Sequence, residues 1–134
     1  FEAVFYQENK ELRSDVEEGI SLQGNEKQLK QLLKILLDNA EKYSPEGGRA
    51  VVQLKRVNGR KARLTVSNTG EAISREKQQE IFERFYRADL SRSDRKRYDL
   101  GLAIAKNIVE LHRGKIRVKS SEGENRFIVE LRCV

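Results

Sequence analysis

The period of the hydrophobic pattern changes near Pro45, and that change constrains the architecture more than any other feature of the chain. From Glu26 to Lys42, the residues Leu29, Leu32, Leu33, Leu36, Leu37 and Ala40 recur at three- and four-residue spacing, which places one apolar stripe along a helix. Asn25 is a cap for this helix, and Pro45 with Gly47-Gly48 ends it. Beyond that point the period is two: Val52 and Leu54, then Ala62, Leu64 and Val66, alternate with polar residues. Asn58-Gly59 between the two runs is a hairpin signal, because both positions of such a turn take positive φ. A striped helix and half-apolar strands each need a surface to cover them, and each can cover the other. The expected fold is therefore α+β: a two-layer α/β sandwich, with a mixed sheet carrying helices on one face.

The remaining segments fit the same plan. Phe1 to Asn9 reads as a short helix, and Glu11–Val16 and Ile20–Gln23 as short extended pieces around Glu17-Glu18-Gly19. Arg75 to Tyr86 is amphipathic, with Ile81, Phe82 and Phe85 forming an apolar patch. Ala88 to Tyr98 is nearly devoid of apolar residues and reads as a basic loop. Leu102, Ile104, Ala105, Ile108, Val109 and Leu111 then define a helix with Gly114 as its C-cap. Ile116 with Val118, and Phe127, Val129 and Leu131 after a turn at Glu122-Gly123, supply two closing strands. With 134 residues and 37% hydrophobic composition, one core is expected and two are not, so residues 1–134 form a single domain. The absence of methionine, a starter included, leads to the expectation that these residues are a piece of a longer chain. No apolar run reaches membrane-spanning length.

The formal charge of +6 admits nucleic acid, an acidic membrane surface or a phosphorylated ligand, and its distribution discriminates among them. Arg84, Arg87, Arg92, Arg95, Lys96 and Arg97 crowd into one stretch, and its loop between Ala88 and Tyr98 lacks the exposed aromatics that nucleic-acid binders usually add. Asn39 is the more informative polar residue. It flanks the leucine stripe, where a buried amide needs hydrogen-bond partners. Lys42, one turn on, faces roughly the same way. An amide oxygen suits a hard cation such as magnesium and an ammonium suits phosphate, so the pair could serve a metal–nucleotide complex; a solvated helix end is the other reading.

Four motifs in order resemble one family across nearly the whole chain. Leu36-Leu37-Asp38-Asn39-Ala40-Glu41-Lys42-Tyr43-Ser44 is similar to the asparagine box of the GHKL ATPase superfamily, in the form found in the catalytic and ATP-binding domains of bacterial sensor histidine kinases. Val66-Ser67-Asn68-Thr69-Gly70-Glu71-Ala72-Ile73 resembles its first glycine box, Ile81-Phe82-Glu83-Arg84-Phe85-Tyr86-Arg87 its phenylalanine box, and Leu100-Gly101-Leu102-Ala103-Ile104 its second glycine box. The resemblance implies a Bergerat-type sandwich that binds ATP and Mg2+. Asn39 would hold magnesium and, with Lys42, form the catalytic pair, while Tyr43 would pack at the nucleotide. Asn68, Gly70, Ala72 and Ile73 would wall the adenine, and Arg84, Arg97, Leu100, Gly101 and Leu102 would complete the nucleotide site.

The chain departs from the family pattern at four of these places. Asn68 stands where an acidic residue accepts the adenine amino group, which replaces a charge-assisted bond by a neutral one and implies roughly tenfold weaker binding. Ala72 replaces a glycine, and Arg97 and Asp99 replace two glycines of the phosphate turn, with Asp99 alternatively capping the following helix. At Ile35, hydrolytic relatives carry a glutamate that activates water, so transfer to a protein histidine is expected rather than free hydrolysis. His112, the only histidine, lacks the acidic neighbour of an acceptor and reads as structural. The resemblance implies a protein histidine kinase domain of two-component signalling. Its phosphate would go to a histidine on a dimerisation helix of the same longer chain, with a response regulator as partner, a homodimer as assembly and the cytoplasmic side of a membrane as location. Nucleic acid is not an expected partner, and any membrane contact would run through segments outside these residues. The alternative is a degenerate kinase-like module that binds little or no nucleotide and serves as an interaction surface.

Overall fold

The structure is a computed structural model that describes residues 9–83, 93–121 and 123–134, and over 93–100 it describes the backbone path. In chain order the elements are β1 (Glu11–Val16), α1 (Glu26–Tyr43), β2 (Arg49–Asn58), β3 (Lys61–Thr69), α2 (Arg75–Glu80), α3 (Ser93–Leu111), β4 (Lys115–Ser121) and β5 (Glu124–Arg132). The strands form one sheet in the order β1-β2-β3-β5-β4, with β1 parallel to β2 and every other pair antiparallel. The mixed sheet with helices on one face is the architecture expected from the change of period. Among the described residues, no helix is long and apolar enough to cross a membrane.

Helix α1 starts where the Asn25 side chain accepts the Gln28 N–H at 2.9 Å, which satisfies one of the unpaired amides of the first turn. It ends at Ser44, just before Pro45, which disfavours further helix. Its stripe of Leu32, Leu36, Leu37 and Ala40 is buried against the inward residues of the sheet, chiefly Leu64, Val66, Phe127, Val129 and Leu131. Leu102, Ala105, Ile108 and Val109 of α3 close the same core. Phe82 meets the edge of Phe127 with ring centroids 6.2 Å apart.

His112 joins the two long helices. Its Nε2 accepts the Asn25 backbone N–H at 3.1 Å while Nδ1 lies 2.8 Å from the Ile108 carbonyl, so the same ring caps the end of α3 and holds the start of α1. A side chain on Gly24 would collide with that ring, since its Cβ would fall 2.2 Å from the imidazole.

Several expectations need correction. The helix expected over Arg75–Tyr86 is regular only to Glu80; Ile81 and Phe82 form a turn, and Arg84 to Tyr86 lie outside the described residues, as do residues 1–8 of the expected N-terminal helix. Of Ile20–Gln23, only Leu22 makes a bridge, to Cys133. The part of the expected basic loop from Ser93 to Tyr98 is helical and continuous with α3. Arginine and lysine are good helix formers, and Ser93 with Asp94 places an acid in the first turn, where the helix dipole favours it. Asp99 therefore sits inside α3 and does not cap it. The hairpin is present, but neither Asn58 nor Gly59 has positive φ; the turn is at Gly59–Arg60, braced by Asn58 Oδ1 accepting the Arg60 N–H at 3.1 Å. At the end of α3, Arg113 rather than Gly114 takes the left-handed conformation (φ 57°), and the Gly114 N–H returns to the Val109 carbonyl at 2.9 Å. Gly114 is needed for space: a Cβ there would lie 2.2 Å from the Glu130 carbonyl.

Candidate functional site

The last turn of α1, the end of β3 and the segment that follows β3 surround a cavity of about 890 Å³. Asn39, Lys42 and Tyr43 enter it from α1, Asn68 from β3, and Gly70, Ala72 and Ile73 from the connecting segment. These seven were singled out from the sequence, and the fold brings them together. Gly101 and Leu102 do not line the cavity: Leu102 is 2% exposed and packs in the core, and Gly101 faces Ile35. The backbone of Arg97 and Leu100 is helical, and Arg84 lies outside the described residues.

Asn39 is 2% exposed, and its Oδ1 is buried with no hydrogen-bond partner among the described residues. A buried carbonyl left unbonded costs about 1–3 kcal/mol, so this oxygen has capacity for a donor or a cation at the cavity wall. A hard cation fits this acceptor, because magnesium retains most of its waters and needs one or two protein oxygens plus phosphate. No cluster of three or more His, Cys, Asp or Glu that could hold a metal is present among the described residues. Lys42 places a cation on the same wall.

Asn68 is buried, and its amide is oriented by a bond from Nδ2 to the Thr69 carbonyl at 2.9 Å. Its oxygen thus remains as the acceptor that can meet a donor in the cavity. Gly70 is required by its surroundings: a Cβ would lie 2.8 Å from the Tyr43 carbonyl, so glycine lets this segment run against the end of α1. Ser74 caps α2 by accepting the Lys77 N–H at 3.2 Å, and Gln78 Nε2 donates to the Ile73 carbonyl at 2.7 Å.

Sequence reasoning missed Asn125, Phe127, Ser74, Lys77 and Ile81, which also line the cavity. Phe127 was read as core, and it is core on one side. Asn125 had a usable signal: it breaks the apolar alternation of β5 at its inward-facing end, opposite Asn68 in the register.

Comparison with known proteins gives a consistent result. The family model for histidine kinase-, DNA gyrase B-, and HSP90-like ATPases matches residues 24–133. Sensor protein DltS of Streptococcus agalactiae is 40% identical over 98% of this chain, and the chain spans 33% of that relative's length. The nucleotide-free catalytic domain of histidine kinase ThkA superposes with a TM-score of 0.87 at 27% identity, covering 98% of this chain and 84% of that one. ThkA in complex with response regulator protein TrrA superposes at 0.82 with 26% identity, over all of this chain and 37% of that one.

Proposed function

The chain belongs to the family of histidine kinase-, DNA gyrase B-, and HSP90-like ATPases, and from that premise we propose that it binds Mg-ATP in the cavity beneath Asn39 and donates the γ-phosphate to a histidine on a dimerisation helix outside these residues. Its fold and relatives are those of sensor histidine kinase catalytic domains. The observation that carries the reading is the orphaned Oδ1 of Asn39, a buried acceptor on the wall it shares with Lys42.

In this reading, Asn39 Oδ1 ligates magnesium and Lys42 faces the phosphates, while Asn68 accepts a hydrogen bond from the adenine amine beside Tyr43 and Ile73. Magnesium supplies charge neutralisation across the phosphates. The chain's own residues contribute position: they hold the terminal phosphate where an incoming imidazole can meet it in line, with no covalent intermediate on this domain. Ile35 packs beside the core and offers no carboxylate to activate water, which favours transfer over hydrolysis. The phosphorylated histidine would then serve a response regulator, by analogy with the ThkA–TrrA pair, in a homodimer on the cytoplasmic side of the membrane. Calorimetry with Mg-ATP tests the proposal: binding is expected in the unaltered chain and lost in Asn39→Ala, and no heat at millimolar nucleotide would refute it.

One observation favours the rival reading of a degenerate interaction module. The backbone is helical through Arg97 and Asp99, where the family pattern has glycines. If that helix obstructs the phosphates, Arg97→Gly with Asp99→Gly should tighten Mg-ATP binding.

A further inference from the structure

The segment from Glu71 to Ser74 has no regular structure, yet it makes one wall of the cavity. A chain of side-chain hydrogen bonds ties it to the sheet. The Ile73 N–H donates to Ser120 Oγ at 2.7 Å, the Ser120 hydroxyl donates to Asn125 Oδ1 at 2.5 Å, and Asn125 Nδ2 donates to the Glu71 carbonyl at 2.8 Å. Ser120 and Asn125 are direct partners across β4 and β5, so both anchors stand on paired strands.

The polarity of this chain has one solution. An amide N–H can only donate, so the serine oxygen must accept from Ile73, and its single hydrogen is then directed to Asn125. That leaves the asparagine nitrogen for Glu71. Asn125 is 3% exposed, so each of these groups would be expensive to leave unpaired. On the cavity side the segment presents Ala72 and Ile73, beside the free acceptor of Asn68.

We propose that Ser120 and Asn125 are positioning residues for nucleotide, holding the Glu71–Ile73 segment at the separation from Asn68 and Tyr43 that a purine base requires. The inference rests on the nucleotide reading above. Ordering a loop residue costs about 1–2 kcal/mol, and a wall ordered in advance spares the ligand that cost on binding. The role is distinct from plain stability, because the segment is small and, while Ile73 packs against the edge of the core, it also lines the cavity.

The test uses the 134-residue chain with Ser120→Ala, Ser120→Thr and Asn125→Asp. Asn125→Asp keeps the shape but replaces the donor to Glu71 with an acceptor. Hydrogen exchange of the Ile73 amide, followed by NMR without nucleotide, should accelerate roughly tenfold in Ser120→Ala and return towards the original rate in Ser120→Thr. Mg-ATP should bind roughly three- to tenfold more weakly to Ser120→Ala and Asn125→Asp, while Mg-tripolyphosphate, which has no base, binds as before. An Ile73 amide as protected in Ser120→Ala as in the unaltered chain, or equal weakening of both ligands, would overturn the positioning role and leave the nucleotide reading standing. Failure of the unaltered chain to bind Mg-ATP would remove both.

Discussion

Asn39 and Leu36 lie three residues apart on one buried helix face, yet they should respond oppositely to truncation. Leu36→Ala removes packed core volume, and its unfolding free energy should fall by about 2–5 kcal/mol. Asn39→Ala opens onto an existing cavity and removes an unbonded carbonyl, so urea denaturation should register a loss below about 1 kcal/mol while Mg-ATP binding disappears. The end of α3 gives a second contrast. Arg113→Gly relieves a left-handed conformation that costs a non-glycine residue roughly 1–2 kcal/mol, whereas Gly114→Ala drives a methyl into the Glu130 carbonyl. The first should raise the thermal midpoint and the second lower it by several degrees. Sequence placed the glycine cap at Gly114, whereas Arg113 takes the left-handed position and Gly114 is required for space. The reason for the glycine lies in a strand distant in sequence, which no local pattern reports.

At the scale of elements, the His112 bridge makes α1 and α3 depend on one another. His112→Ala should release the Asn25 amide and free the start of α1, at a cost of about 0.5–1.5 kcal/mol, and amide exchange near residues 26–29 should rise before exchange near residues 39–43. The long apolar periodicities of α1, β3 and β5 were legible because burial of one face imposes them. The charged start of α3 was not, since a helix and a loop can be built from the same charged residues and differ only in backbone geometry. The shortening of α2 has a similar origin. Ile81 and Phe82 supply helical spacing, but they leave the helix as a turn, Ile81 buried and Phe82 against Phe127.

Across the whole molecule, the face of the sheet away from the helices is held by cross-strand ion pairs. Arg63 holds the Glu130 carboxyl below its ordinary range against the opposing effect of burial, and Lys55 with Gln53 does the same for Asp15. A carboxyl whose folded value is lowered contributes stability above its unfolded value and loses it as pH falls through the folded one. Urea midpoints should therefore decline from about pH 5 downward, and Glu130→Gln should flatten that decline without altering the curve near neutrality in shape. By itself, the sequence determined the two layers, the helix that carries Asn39 and most of one wall of the cavity, because hydrophobic periodicity and a few motif residues act locally along the chain. Only the tertiary structure decided that the Asn39 oxygen is unbonded among the described residues, that Gly70 and Gly114 serve close approach, and that Ser120 and Asn125 secure the opposite wall. Those properties depend on atoms brought together from distant positions, and hydrogen bonding and steric exclusion are settled only at contact.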